Sequence, residues 1–340
     1  MALAFLHYDV FTTDPLSGNQ LAVFLDGRGV ATERMQALAR EMNFSESTFI
    51  LPAEAPGTDV RMRIFTPGNE LPMAGHPTIG STFALAHAGV IEPGAARFVF
   101  GLGVGPTPVD LEWSPSTSLG ASPSTSLGAS PSTSLGASPS TSLGASPSTS
   151  LGAGGLTFAW MTQLNPTIDP PIADRAGTAA SLSLTADDLV PDLPVQQIHC
   201  GLPYILVPFR DRETVDRAEV DAAAFRAFAS TNRMNRDACF FLFSASPSDP
   251  AQAAYARMFA PAFGIPEDPA TGSACGPLAC YLVHHRLITG AATRRIVIRQ
   301  GVKMGRPSTI YAAVAESGGT ITEVKVGGQA VLVGRGEILA

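Results

Sequence analysis

The first apolar runs, "AFLHYDVFT" from Ala4 and "LAVFLD" from Leu21, flank the turn-rich "TDPLSGNQ" and read as two strands joined by a turn. From Thr32 to Met42 the period changes. Met35, Leu38, Ala39 and Met42 recur at helical spacing behind Thr32, an N-cap residue type, so a helix is expected there. "SESTFIL" and "VRMRIFTP" return to strand character. Further on, "TIGSTFALAHAGVI" and "GPLACYLVHHRLI" are apolar almost all round, as suits a helix enclosed by sheet. Pro77 and Pro277 are expected at or near the first turns of these helices, where a missing N–H costs little.

The two apolar helices belong to matching segments. "FTPGNELPMAGHPTIGSTFALAHAGVI" from Phe65 and "FAPAFGIPEDPATGSACGPLACYLVHHRLI" from Phe259 both open F-x-P, cross a turn-rich loop to P-x-[AT]-G-[HS] and end in an apolar run. Gly75 and Gly272, Pro72 and Pro269, Leu85 and Leu282 keep one offset of 197 residues. The chain therefore reads as two related α/β (α+β) domains, each with a strand, a glycine loop and a central helix. The loops place Gly75–His76 and Gly272–Ser273 at helix N-termini, whose free N–H groups and positive dipole ends suit a carboxylate held between the domains.

Residues 114 to 153 are five perfect copies of "SPSTSLGA". This uncharged segment has one leucine per unit, too little apolar surface to offset its ordering entropy, so a disordered insertion is expected. The first domain then spans 1–113 and recovers the C-terminal strand at about 329–340; the second spans 154–328.

Composition narrows the function. The 340 residues are 45% hydrophobic and 15% charged, with net charge −7. Basic residues do not cluster, which argues against nucleic acid and for a small-molecule partner. The N-terminus lacks the basic region of a signal peptide and no stretch suits a membrane span, so a cytoplasmic protein is expected. Cys200, Cys239, Cys275 and Cys280 form no C-x-x-C pair and read as reduced thiols. His284 and His285 lie on an apolar helix without nearby partner ligands, so no metal is expected.

Four polar residues stand out near the glycine loops. Glu46 in "SES" reads either as a solvent-facing strand carboxylate or as a general acid/base with a pKa raised by burial. His76 is a turn or cap residue, or a proton carrier at the helix mouth. Asp268 is an Asx-turn acceptor, or a substrate ligand or relay. Ser273 is an N-cap or a substrate donor.

"HYDVFTTDPLSGNQLAVF", "EMNFSESTFI", "FTPGNELPMAGHPTIGSTFAL", "DPATGSACGPLACYL" and "QGVKMGRPS", in this order, resemble the phenazine biosynthesis PhzF-like family. The resemblance covers the chain outside the repeat. It implies a diaminopimelate epimerase-like fold of two pseudo-symmetric domains, each a curled sheet around a central helix, with homodimers common. It also implies a cofactor-independent isomerase that moves a proton on a small carboxylic acid bound between the domains. Glu46 would be the general acid/base, with His76, Asp268 and Ser273 as the other catalytic positions. Asn19, Ala74, Gly75, Thr271 and Gly272 would bind substrate. Two-cysteine epimerases of this fold carry thiols where this chain has Ala74 and Thr271, so a two-thiol mechanism is disfavoured. An epimerase or racemase using Glu46 and His76 on opposite faces, and a non-catalytic binder of small acids, are the alternatives.

Overall fold

The computed structural model describes residues 2–114, 155–232, 239–246, 248–249, 251–261 and 265–339. The "SPSTSLGA" repeat, Ser114 apart, lies outside the described residues.

The half before the repeat runs β1 (Ala2–Val10), β2 (Asn19–Phe24), α1 (Thr32–Met42), β3 (Glu46–Pro52), β4 (Val60–Phe65), β5 (Glu70–Leu71), α2 (Gly75–His87), β6 (Arg97–Leu102) and β7 (Gly105–Trp113). After the repeat come β8 (Leu156–Gln163), β9 (Thr167–Pro171), α3 (Arg175–Ala180), β10 (Gln196–His199), β11 (Pro203–Pro208), α4 (Arg212–Arg217), α5 (Ala222–Thr231), β12 (Phe240–Ala245), β13 (Ala254–Ala260) and β14 (Ile265–Asp268). The chain ends with α6 (Gly272–His284), β15 (Ile296–Gln300), β16 (Ser308–Ser317), β17 (Thr320–Gly328) and β18 (Ala330–Leu339).

The duplication seen in sequence is repeated in the pairing. β1–β2 is antiparallel, β2–β3 parallel, β3–β4 antiparallel, β4–β6 parallel and β6–β7 antiparallel. In the second half β10–β11, β11–β12, β12–β13, β13–β15 and β15–β16 follow the same series. β8 joins the halves by pairing with β7 and β17, and β18 returns to pair with β1. The result is a mixed α/β fold with one continuous mixed sheet network.

Both central helices have 13 residues at the 197-residue offset, and nearly all of their residues are buried. α2 packs against β1, β2, β3, β8 and β18, and α6 against β10, β11, β16 and β17. An all-round apolar helix is stable only with such a wrapping.

Two expectations need correction, the cap of α1 and the place of Pro277. Thr32 is the first helical residue rather than the cap; Ala31 occupies the N-cap and makes no side-chain cap bond. Thr32 Oγ1 instead accepts from Arg63 Nη1 at 2.9 Å. α2 and α6 begin at Gly75 and Gly272, the helix N-termini expected from the two glycine loops. Pro77 is therefore third in its helix, but Pro277 is sixth, inside α6 rather than in its first turn. There it removes an intrahelical donor.

In sequence the repeat falls between β7 and β8, which pair antiparallel. Ser114 N–H donates to Gly155 O at 3.0 Å, extending the β7–β8 pair at the residues that flank 115–154. Replacing residues 115–154 with an Asn-Gly turn is expected to preserve activity and raise stability by about 2 kcal/mol, since shorter loops cost less closure entropy. A urea midpoint measures this; a marked fall would show that the segment supports the fold. No described helix is long and apolar enough to cross a membrane.

Candidate active site

The N-termini of α2 and α6 meet. A Cβ on Gly75 would lie 2.7 Å from Gly272 C and 2.7 Å from Ser273 N, so only glycine permits this approach. Both N-caps, Ala74 and Thr271, are uncapped by side chains. The first-turn N–H groups of both helices thus converge on one place with their positive dipole ends.

A cavity of about 600 Å³ opens there. Its walls include Glu46, Ala74, Gly75, His76, Asp268, Thr271, Gly272 and Ser273. Among the described residues no lysine or arginine lines it, so an anion would rely on the main-chain N–H groups. Asn19, expected to bind substrate, is placed differently. It is 1% exposed and lies behind the cavity wall.

Glu46 opens β3, beside Leu21 of β2. Its side chain is 13% exposed, yet its Oε2 is sealed and makes no hydrogen bond. That oxygen lies 3.3 Å from His76 Nδ1. Burial pushes the Glu46 carboxyl well above its usual range, and the charge of Asp268 adds to the effect. Burial drives the His76 imidazole down to about 4; Asp268 and the Gln20 carbonyl pull weakly the other way. Both groups are pushed toward neutrality, which disfavours an ion pair between them.

Asp268 ends β14 and binds both halves. Its Oδ1 accepts from Ser45 Oγ at 2.8 Å and Asn19 Nδ2 at 2.9 Å, and its Oδ2 from Thr271 Oγ1 at 2.5 Å. Gln300 Nε2 donates to Asp268 O and Thr271 Oγ1, while Gln300 Oε1 accepts from Thr271 N. Ser273 Oγ lies 2.7 Å from Tyr204 OH, and Gln163 Nε2 donates to Gly272 O. Ser45, Tyr204, Gln163 and Gln300 were not anticipated. Ser45 and Gln300 fall within two of the quoted motif blocks; Tyr204 and Gln163 carried no local signal.

The halves are not chemically equivalent. In β3–β4 Ser47 pairs with Phe65, and in β12–β13 Phe240 pairs with Phe259. With Phe65 matched to Phe259, the position of Glu46 is held by Cys239 in the second half, and the 197-residue offset matches Asp268 to Leu71. Each carboxylate thus occurs once. Cys275 is buried inside α6. His285 Nε2 lies 2.8 Å from Gln196 Oε1, and the described residues hold no cluster of three His, Cys, Asp or Glu placed for a metal.

The acid–imidazole pair predicts a pH signature. The His76 value falls from 6.5 unfolded to about 4 folded, so its stabilising contribution is full above pH 6.5 and lost as pH falls toward 4. Glu46 runs oppositely. Its raised value gives a contribution that is full below 4.5 and lost as pH rises through the folded pKa. The two oppose each other between pH 4.5 and 6.5. Glu46→Gln removes the compensation, so the variant should lose more stability than wild type as pH drops across that window. Urea midpoints at several pH values check this, and equal slopes would contradict the pairing.

Comparison with known proteins places the chain in a family. A family model described as phenazine biosynthesis-like protein matches residues 8–336. An uncharacterized isomerase of Mesorhizobium japonicum is 34% identical over 339 residues, covering 98% of each chain. A trans-2,3-dihydro-3-hydroxyanthranilate isomerase of Pseudomonas aeruginosa is 34% identical over 328 residues, covering 96% of each. In structure, a PhzF-family phenazine biosynthesis protein of Bacillus anthracis superimposes over 100% of both chains with TM-score 0.77 at 23% identity, a likeness of fold.

Proposed function

This isomerase belongs to the phenazine biosynthesis-like protein family, and from that premise we propose that Glu46 moves a proton on a small carboxylic acid held between the two glycine-loop helix mouths. The observation that carries this reading is a buried Glu46 carboxyl, its Oε2 without a hydrogen bond, on the wall of a cavity where two helix N-termini converge. Main-chain N–H groups of the first turns would hold the substrate carboxylate and stabilise charge that develops on it. In its ionised form Glu46 would take a proton from one carbon, the C–H electron pair shifting into the substrate, and the neutral acid so formed would return that proton elsewhere on the same face. A carboxyl whose pKa is raised toward the working range suits both steps.

The substrate class is consistent with the Pseudomonas relative, whose name specifies a hydroxyanthranilate derivative, itself a small carboxylic acid. We read Asp268 and Ser273, with Tyr204 behind Ser273, as polar contacts for the rest of the substrate. The 3.3 Å between Glu46 Oε2 and His76 Nδ1 leaves no space for a substrate carbon between them, which speaks against these two acting on opposite faces. Solvent-deuterium incorporation during turnover of trans-2,3-dihydro-3-hydroxyanthranilate and a panel of small unsaturated acids tests the reading. Binding without exchange for every member of the panel would favour a non-catalytic binder.

A further inference from the structure

The cavity at the helix mouths has two chemically different sides. Glu46, His76, Asp268, Thr271 and Ser273 gather where α2 and α6 meet. Leu71, Leu202, Met258, Ala260 and Ile265 also line it, and they carry no hydrogen-bonding side chain.

β13 and β14 lead from one side to the other. Directly opposed residues of an antiparallel pair share one face of the sheet. Met258 is paired with Asp268 and Ala260 with Ile265, and all four line the cavity. Arg257 faces away, donating to Glu267 and to the carbonyls of Val215 and Ala218. Ala260 is two residues beyond Met258, so its row lies about 7 Å along the sheet from the Asp268 row. On the first half, Leu71 stands at the position that matches Asp268.

The other polar side chains of the wall are committed to their own surroundings. Thr66 Oγ1 donates to Asn69 O at 3.0 Å, Gln197 Nε2 to Asp169 Oδ2 at 2.7 Å and Asn232 Nδ2 to Phe228 O at 2.9 Å. Leu71, Leu202 and Ile265 are only partly buried, so they leave apolar surface facing the cavity. At about 600 Å³ the space holds more than a carboxylate group.

We propose that Leu71, Leu202, Met258, Ala260 and Ile265 form a subsite for hydrocarbon, which selects a monocarboxylic acid with an uncharged apolar part and rejects a dicarboxylic acid of the same length. This rests on the reading of the two helix mouths as the carboxylate cradle. Covering the apolar wall with hydrocarbon strengthens binding in proportion to the area removed from water. A second carboxylate in the same place would lose its hydration and gain no partner, since among the described residues no lysine or arginine lines the cavity.

Calorimetric titration of the full chain at pH 7 with propanoate, butanoate, pentanoate and hexanoate tests the subsite without turnover. Each buried methylene should tighten Kd by up to about 4-fold, so hexanoate should bind about 10- to 60-fold more tightly than propanoate. Adipate should bind at least about 10-fold more weakly than hexanoate. Ile265→Lys places a cation on the apolar wall, and there the order of hexanoate and adipate should reverse. A Kd that does not change along the series, or adipate binding as tightly as hexanoate to wild type, would overturn the subsite. An unchanged preference in Ile265→Lys would place the binding elsewhere and overturn it too. The wild-type series decides even if the variant fails to fold. Hexan-1-ol binding as tightly as hexanoate would instead overturn the carboxylate cradle on which the inference rests, and the role of Glu46 is tested separately by deuterium exchange.

Discussion

Glu46→Gln is expected to lower turnover by about 10²- to 10⁴-fold and to abolish deuterium incorporation while leaving the fold intact. The amide matches the carboxyl in shape but cannot carry the proton. Its effect on folding should be small because Glu46 Oε2 makes no hydrogen bond that the substitution could break. Removing a group that burial holds in its neutral form also relieves a desolvation cost at higher pH. Stability near pH 7 is therefore expected to hold or rise, the usual sign of a residue kept for chemistry rather than for packing. The experiment compares wild type and variant for deuterium incorporated into a turned-over substrate, with thermal unfolding as the fold control. An exchange rate that survives the substitution would remove Glu46 from the mechanism.

The second large effect belongs to Gly75→Ala. The added methyl would stand 2.7 Å from Gly272 C and Ser273 N, both main-chain atoms that cannot swing aside. The two helix ends must then separate, at a cost of about 1–3 kcal/mol for overpacking. Their N–H groups would no longer converge on one carboxylate, and a displacement on the order of 1 Å can cost about 10²-fold in rate. The expected outcome is a loss of kcat/KM on that scale together with a lowered Tm. Gly68→Ala is the control, since its methyl would meet nothing nearer than Thr66 Oγ1 at 3.8 Å. Equal behaviour of the two variants would show that the close approach of the helix mouths is dispensable.

These two substitutions also separate the roles of the two halves. Glu46 has Cys239 as its counterpart and Asp268 has Leu71, whereas Gly75 and Gly272 match each other. The glycine cradle proposed for the carboxylate is symmetric, and the proposed acid–base chemistry is not. Such an asymmetry fits an enzyme that takes and returns a proton with one carboxyl.

Much of this was legible along the chain. The F-x-P and glycine-loop matches gave the repeated topology, and α1 has the boundaries its apolar spacing predicted. The matched glycines place the two buried helices at equal length and fixed offset. Glu46, His76, Asp268 and Ser273 all reach one cavity, because short motifs next to a helix start have their local geometry set by neighbouring backbone. The partners of those residues were not legible. Ser45 and Asn19 meet Asp268 across 223 and 249 residues, and Tyr204 meets Ser273 across 69. Periodicity reports which face of an element is apolar, and it carries no information about which distant element covers that face. The placement of Asn19 behind the wall and the shifted protonation of Glu46 and His76 both follow from enclosure in the closed fold. Desolvation and hydrogen bonding across that contact act only when the chain has closed on itself, so only the tertiary structure could decide them.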